Sequence, residues 1–154
     1  YRTAMARHGL AGEIVVQACD FSEDGGYTAA VALLDGGRPV TALAAVNDLA
    51  AVGALSAAAD AGLDLPAGLA VTGYDDTFLA ELRQISLTSV NPDSAGMGEL
   101  AAHRLLERIA GPDRPGVEQL VAPRLVVRAS SAQSTGGLGL SPPDPPPPSR
   151  GAGR

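Results

Sequence analysis

The chain has 154 residues, 45% of them hydrophobic, which excludes a wholly disordered chain and allows one domain with a real core. The formal net charge of −6 makes a surface that phosphate backbones repel, so this stretch by itself is not expected to bind DNA. A single cysteine, Cys19, excludes an intramolecular disulfide and any multi-cysteine metal site.

Aromatic residues are only 3% and Trp is absent, so Ala, Val and Leu must build the core; all 11 basic residues are Arg. Tyr1 to His8 reads as the end of a helix with Gly9 as its C-cap, and Tyr1 does not look like a native start. Glu13 to Ala18 (EIVVQA) is a short β-rich run, and Cys19 at its end is expected to be a small buried hydrophobe. Ser22-Glu23-Asp24 starts a helix in which Tyr27, Ala30, Val31 and Leu34 recur at helical spacing. Thr41 to Val46 (TALAAV) fits a strand buried on both faces.

Asn47 or Asp48 caps a second long helix that ends at Gly62, and Leu69 to Gly73 is a third strand. Asp75-Asp76-Thr77 opens a short helical turn, and Ile85 to Val90 is extended. Asn91-Pro92-Asp93 starts a helix with Met97, Leu100, Ala101, Leu105 and Ile109 as its apolar positions, ended by Gly111-Pro112. Val117 to Val121 and Leu125 to Val127 form a final extended pair broken at Pro123. Residues 132–154 are Pro- and Gly-rich and read as a disordered tail. No internal repeat, no run of membrane-helix length and no signal peptide is visible. Strand–helix alternation with short connections predicts an α/β fold: a Rossmann-like lobe on a parallel sheet with right-handed crossovers.

Ligands of an open parallel sheet bind outside the carboxyl ends of its strands. There the sequence places Asp20 and Phe21, then Asn47 and Asp48, then Tyr74, Asp75 and Asp76. A ring, an amide and several carboxylates suit a sugar or nucleoside-like ligand: the ring stacks on an apolar face, and the polar groups hold hydroxyls or ring nitrogens. Capping of helix N-termini alone would justify Asn47, Asp48, Asp75 or Asp76 taken singly, and Phe21 alone would pass as core. The convergence of three strand ends on one rim favours a site.

Signals of an enzyme are poor. No G-x-G-x-x-G follows a strand, Gly136-Gly137-Leu138-Gly139 lies in the tail, and P-loop and G-x-S-x-G patterns are absent. His8 and His103 are the only histidines, both on predicted helices; neither has metal-ligand spacing, and His103 is expected on an exposed face. Asp75-Asp76 has no nucleophile or metal beside it for acid–base chemistry. Neither a cofactor nor a metal is expected.

The stretch TALAAVNDLAAVGALSAAADAGLDLPAGLAVTGYDD resembles the LacI/GalR regulators, in which a strand leads to Asn-Asp, an Ala/Gly-rich helix, Gly-x-x-x-Pro and a strand ending Gly-Tyr-Asp-Asp. The likeness runs on through LTSV and MGELAAHRLLERI to RLVVRAS, and upstream through YRTAMARHGL and CDFSEDGGYTAAVALL, over about residues 1–131. It implies a type-I periplasmic-binding-protein-like fold of two lobes with the effector between them. It implies a ring on the effector at Phe21, an amide at Asn47 and a carboxylate at Asp75. It also implies a side-by-side homodimer, with Ala51, Val52, Leu55 and Ala59 as interface candidates, although packing on the sheet is the ordinary alternative for each.

The resemblance further implies parts that these residues do not contain: an effector-binding Arg just before the position of Tyr1, a helix-turn-helix, a hinge and most of the N-terminal lobe. Residues 91–110 would then be a helix belonging to that lobe, with several apolar side chains left exposed. Ser94 departs from the bulky or apolar contact frequent in the family. The expected protein is a cytoplasmic, non-enzymatic sensor of a small sugar or nucleoside-like effector, touching DNA only through the helix-turn-helix and no membrane. Holding roughly half of the site, the chain is expected to bind effector weakly or not at all. A periplasmic sugar-binding receptor shares the fold, but the MGELAAHRLL helix followed by RLVVRAS favours the regulator.

Overall fold

The computed structural model describes residues 1–112 and 115–132. Its helices are α1 (Arg2–Arg7), α2 (Glu23–Leu34), α3 (Asp48–Asp60), α4 (Phe78–Glu81) and α5 (Ser94–Ala110). Its strands are β1 (Ala42–Ala44), β2 (Ala70–Tyr74), β3 (Thr88–Asn91) and β4 (Arg124–Val126), in one sheet of order β1-β2-β3-β4. The pairs β1–β2 and β2–β3 are parallel and β3–β4 is antiparallel. The α/β architecture on a mostly parallel sheet is the one the alternation of elements predicts.

Side chains start the long helices where the sequence places the signals. Ser22 caps α2 by accepting the Gly25 N–H at 3.0 Å, and Asn47 caps α3 by accepting the Ala50 N–H at 2.8 Å. Each relieves one of the unpaired N–H groups of a first turn. The core is small-sided: Ala30, Ala51, Ala54, Ala57 and Ala58 pack with Leu69, Val71, Ala80 and Leu87. Small side chains let the backbones of α2 and α3 meet. A Cβ on Gly26 would stand 2.2 Å from the Ala50 carbonyl oxygen, and one on Gly53 would stand 2.0 Å from that of Glu23.

Several expectations are corrected. Residues 13–18 do not form a strand; a short 3-10 turn, Ala11–Glu13, precedes an extended segment that leaves Val15 and Val16 exposed. A β-rich run becomes a strand only when a neighbour takes its hydrogen bonds and something covers its face, and α1 buries no residue with which to cover it. Cys19 is consequently exposed rather than buried. For the same reason β1 is an edge strand with Ala42 and Ala44 exposed, not a strand covered on both faces. Residues 117–121 pair with no strand, so only β4 remains of the predicted final pair. Helix α1 is capped at His8, with Gly9 beyond it at φ +73°.

Helix α5 buries no residue, and Met97, Leu105, Leu106 and Ile109 are exposed along it. The side chain of His103 is exposed on the same helix, 3.3 Å from Glu107. The tail is outside the described residues, apart from Ala132.

The α2–α3 contact makes a direct prediction. Gly53→Ala and Gly26→Ala each force the two helices apart and should cost about 1–3 kcal/mol in urea unfolding. Gly98→Ala on α5, where a Cβ meets nothing within 4 Å, should be neutral or stabilise by about 0.5–1 kcal/mol. Equal effects at the three glycines would refute the close-packing account.

Candidate ligand-binding site

Three loops meet at the carboxyl edge of the sheet, and one dipeptide joins them. Asn47 faces two ways: its Oδ1 caps α3, and its Nδ2 donates to the Phe21 carbonyl at 3.1 Å. One N–H and one lone pair of the amide remain for a ligand. Phe21 is 68% exposed, so its ring is a surface element and not core. Just before it, the Ser22 hydroxyl and N–H both donate to Asp20, which holds that carboxyl below the usual carboxylate range.

Asp48 does the second half of the joining. It is 1% exposed, yet none of its side-chain oxygens lacks a donor. Oδ2 accepts the N–H of Thr77 at 2.6 Å and its hydroxyl at 2.8 Å, while Oδ1 accepts the Ser89 hydroxyl at 2.6 Å. The start of α3 is thereby fastened to the loop after β2 and to β3. The side chain reaches them because β2 carries Gly73, where a Cβ would come within 2.4 Å of Asp48 Oδ1.

The loop after β2 is a tight turn with two consecutive non-glycine residues in the left-handed region, Asp75 at φ +99° and Asp76 at φ +48°. Such conformations cost on the order of 1–3 kcal/mol each and persist where surrounding structure imposes them. Here the Asp75 N–H donates to the Val90 carbonyl and the Asp76 N–H to the Ser89 hydroxyl, both at 3.0 Å. Asp76 turns inward: Oδ1 takes Arg128 Nη1 at 2.7 Å and Oδ2 takes Asn91 Nδ2 at 2.8 Å. Asp75 is exposed, and among the described residues its carboxyl oxygens accept no hydrogen bond.

The structure thus brings Phe21 and Asn47 into contact and sets Asp75 in a turn tied to Asp48, the next residue after Asn47. Asp48 was expected among the carboxylates of the rim but is buried beneath it, and Ser89, Asn91 and Arg128 were not singled out as site-forming by the sequence. The only available signals were the Asn-Asp pair and the RLVVRAS segment, and neither says that its polar residue turns inward. Capping explains part of Asn47. It does not explain Asp75 and Asp76, because α4 begins at Phe78 with Thr77 at the N-cap position and no side-chain cap hydrogen bond.

An open groove of about 580 Å³ lies elsewhere, beside β1, between residues 15–19 and the faces of α2 and α3. It is lined by neither Phe21 nor Asn47 nor Asp75, and it is apolar where the rim is polar. The rim, rather than this groove, is the candidate site. Among the described residues no cluster of three or more metal-ligating side chains occurs.

A family model described as "Periplasmic binding protein-like domain" matches residues 1–131. The chain belongs to that family. The HTH-type transcriptional regulator MalR of Streptomyces coelicolor is 39% identical over 142 residues, 90% of this chain and 41% of that protein. A structure of the transcriptional regulator CelR in complex with cellobiose superposes with a TM-score of 0.79 at 36% identity, over 85% of this chain and 40% of that one. A LacI family transcriptional regulator from Enterococcus faecium with bound ribose gives a TM-score of 0.77 at 27% identity, over 85% and 48%. The chain spans about two fifths of the length of the curated relatives it matches.

Of the four residues marked for a dimer interface, Ala51 is corrected: it is 0% exposed and belongs to the core, packed on the sheet. Val52 and Leu55 are half-buried and Ala59 is exposed.

Charge on Asp76 sets a pH dependence. Partial burial opposes its charged form, but the Asn91 amide and the Arg128 guanidinium outweigh burial and hold the carboxyl below its ordinary value of 3.8. A lowered folded-state value stabilises the fold above the unfolded value near 3.8, and this contribution disappears as pH falls through the lower folded value. In urea unfolding, wild type should therefore exceed Asp76→Asn at about pH 6, with the gap closing at about pH 3. A gap unchanged between the two would show that charge on Asp76 is not what holds the turn.

Proposed function

We propose that this chain is the ligand-sensing part of a DNA-binding transcription regulator, and that a small sugar or a related polyol is its effector. The observation that carries this reading is the rim itself: an exposed ring at Phe21, a half-used amide at Asn47 bonded to the Phe21 carbonyl, and an exposed carboxyl at Asp75 in a turn that Thr77 ties to Asp48. An apolar face with a few converging polar groups is what a sugar ring requires. Cellobiose and ribose bound to structural neighbours, and curated relatives named as HTH-type regulators, support the regulator over a periplasmic sugar receptor. With regulators as relatives, the chain works by binding rather than by catalysis.

In this reading a helix-turn-helix on the whole protein, and not this acidic stretch, contacts DNA inside the cell. Helix α5 packs in a second lobe that completes the site and covers its apolar side chains. Val52, Leu55 and Ala59 lie on a homodimer surface. Effector binding then biases the DNA-binding end through a coupling between two sites.

Because one lobe supplies part of the contacts, the chain should bind sugar with a dissociation constant of about 1–10 mM. Amide NMR titration with cellobiose and with ribose should shift signals of residues 21–22, 47 and 74–76, and Asp75→Asn should remove those shifts. No shift with either sugar at about 50 mM, far above a millimolar constant, would overturn the sugar reading. Shifts confined to residues 15–19 would move the site to the groove beside β1. Micromolar binding would overturn the half-site argument.

A further inference from the structure

Asp75 carries the carboxyl proposed for the ligand, and among the described residues no hydrogen bond of that carboxyl fixes where it points. Its position comes from Asp76. The carboxyl of Asp76 is held from two directions, by Asn91 at the end of β3 and by Arg128 just beyond β4. This ion pair is sheltered, with the Asp76 side chain 5% and the Arg128 side chain 17% exposed. Arg128 is itself pinned to β3. Its Nη1 also donates to the Leu87 carbonyl at 2.9 Å, its N–H donates to Thr88 Oγ1 at 2.7 Å, and its carbonyl accepts the Thr88 hydroxyl at 2.9 Å. Glu81 lies more loosely at 3.8 Å from Nη2.

We propose that Arg128, acting through Asp76, is a positioning residue for the ligand carboxyl of Asp75, and so sets the effector affinity without touching effector. The proposal rests on the rim being the effector site. The reason is geometric. Two left-handed residues in succession have no intrinsic preference for that shape, and the turn between β2 and α4 is held by two backbone donors, Asp75 N–H to the Val90 carbonyl and Asp76 N–H to the Ser89 hydroxyl, and by the side-chain clamp of Asp76. On its outer side Thr77 is held by Asp48. Between the two anchors a hydrogen-bond chain runs from the Asp76 N–H to the Ser89 hydroxyl and from that hydroxyl to Asp48. Remove the guanidinium, and Asp76 keeps a neutral donor in Asn91 while losing the charged one. Peptide flips at 75–76 then cost less, and the Asp75 carboxyl loses its fixed direction.

The test uses the whole chain, labelled with 15N and 13C, comparing wild type, Arg128→Met, Arg128→Lys, Asp76→Asn and Asp75→Asn. In Arg128→Met, amide signals of α3 should stay in place and those of residues 74–77 should move. The Asp76 carboxyl carbon should titrate at higher pH than in wild type. Cellobiose-induced shifts should fall to the level seen in Asp75→Asn. Arg128→Lys should restore much of the wild-type pattern, which a merely structural loss of packing would not do. Unmoved 74–77 signals together with wild-type cellobiose shifts in Arg128→Met would overturn the proposal. If Arg128→Met does not fold, Asp76→Asn gives the same decision, since it keeps size and the Asn91 contact. If wild type shows no sugar shift at all, the effector reading fails. The response of residues 74–77 to Arg128→Met still decides whether the clamp positions Asp75.

Discussion

Asp48 accepts hydrogen bonds from the N–H and hydroxyl of Thr77, in the loop after β2, and from the hydroxyl of Ser89 on β3, and it does so while buried. Burying a polar side chain is costly unless every oxygen finds a donor, so such a group tolerates only one arrangement of its neighbours. The neighbours here are the turn that carries Asp75 and the strand that supports it. Asn47, one residue earlier, does the same for the loop that carries Phe21. One dipeptide at the start of α3 therefore decides the relative placement of three strand ends.

That arrangement depends on small residues. The Asp48 side chain crosses β2 only because Gly73 leaves the space, and α3 comes close enough to α2 only because Gly26 and Gly53 face each other's backbones. A core built from Ala rather than from large side chains gives thin, closely packed layers. Its stabilisation per residue is modest, because burial scales with apolar area. The polar network is what gives the rim one defined geometry. Helix α5 and residues 117–121 are joined by Arg104, whose guanidinium donates to Gln119 at 3.0 Å, and apolar side chains of both remain exposed.

The site has the division of labour expected of a binding surface. Residues that face outward, Phe21 and Asp75, are held by residues that face inward, Asp48, Asp76, Ser89, Asn91 and Arg128. Strain in the turn at 75–76 is sustained by the inner set. Family membership agrees with the placement of the rim at the carboxyl edge of a parallel sheet, where open α/β folds bind ligands.

Local pattern alone determined the helices, because Ser22, Asn47 and Asp93 are caps whose partners lie three residues away, and because Ala- and Leu-rich runs keep their helical period. It also determined β2 and β3 and the parallel sheet, through short apolar runs and short connections. The family resemblance placed Phe21, Asn47 and Asp75 at the site. Tertiary structure decided the rest. Residues 13–18 carry a strand's pattern, but a strand exists only if another takes its hydrogen bonds, and none does. Ala51 and Val52 are neighbours on one helix, and only the packing of α3 on the sheet sends the first into the core. The second residue of each of the pairs Asn47-Asp48 and Asp75-Asp76 looks like any polar residue at a helix start. Its inward turn depends on Ser89, Asn91 and Arg128, which lie between 15 and 52 residues away in the chain and which no local pattern could bring to it.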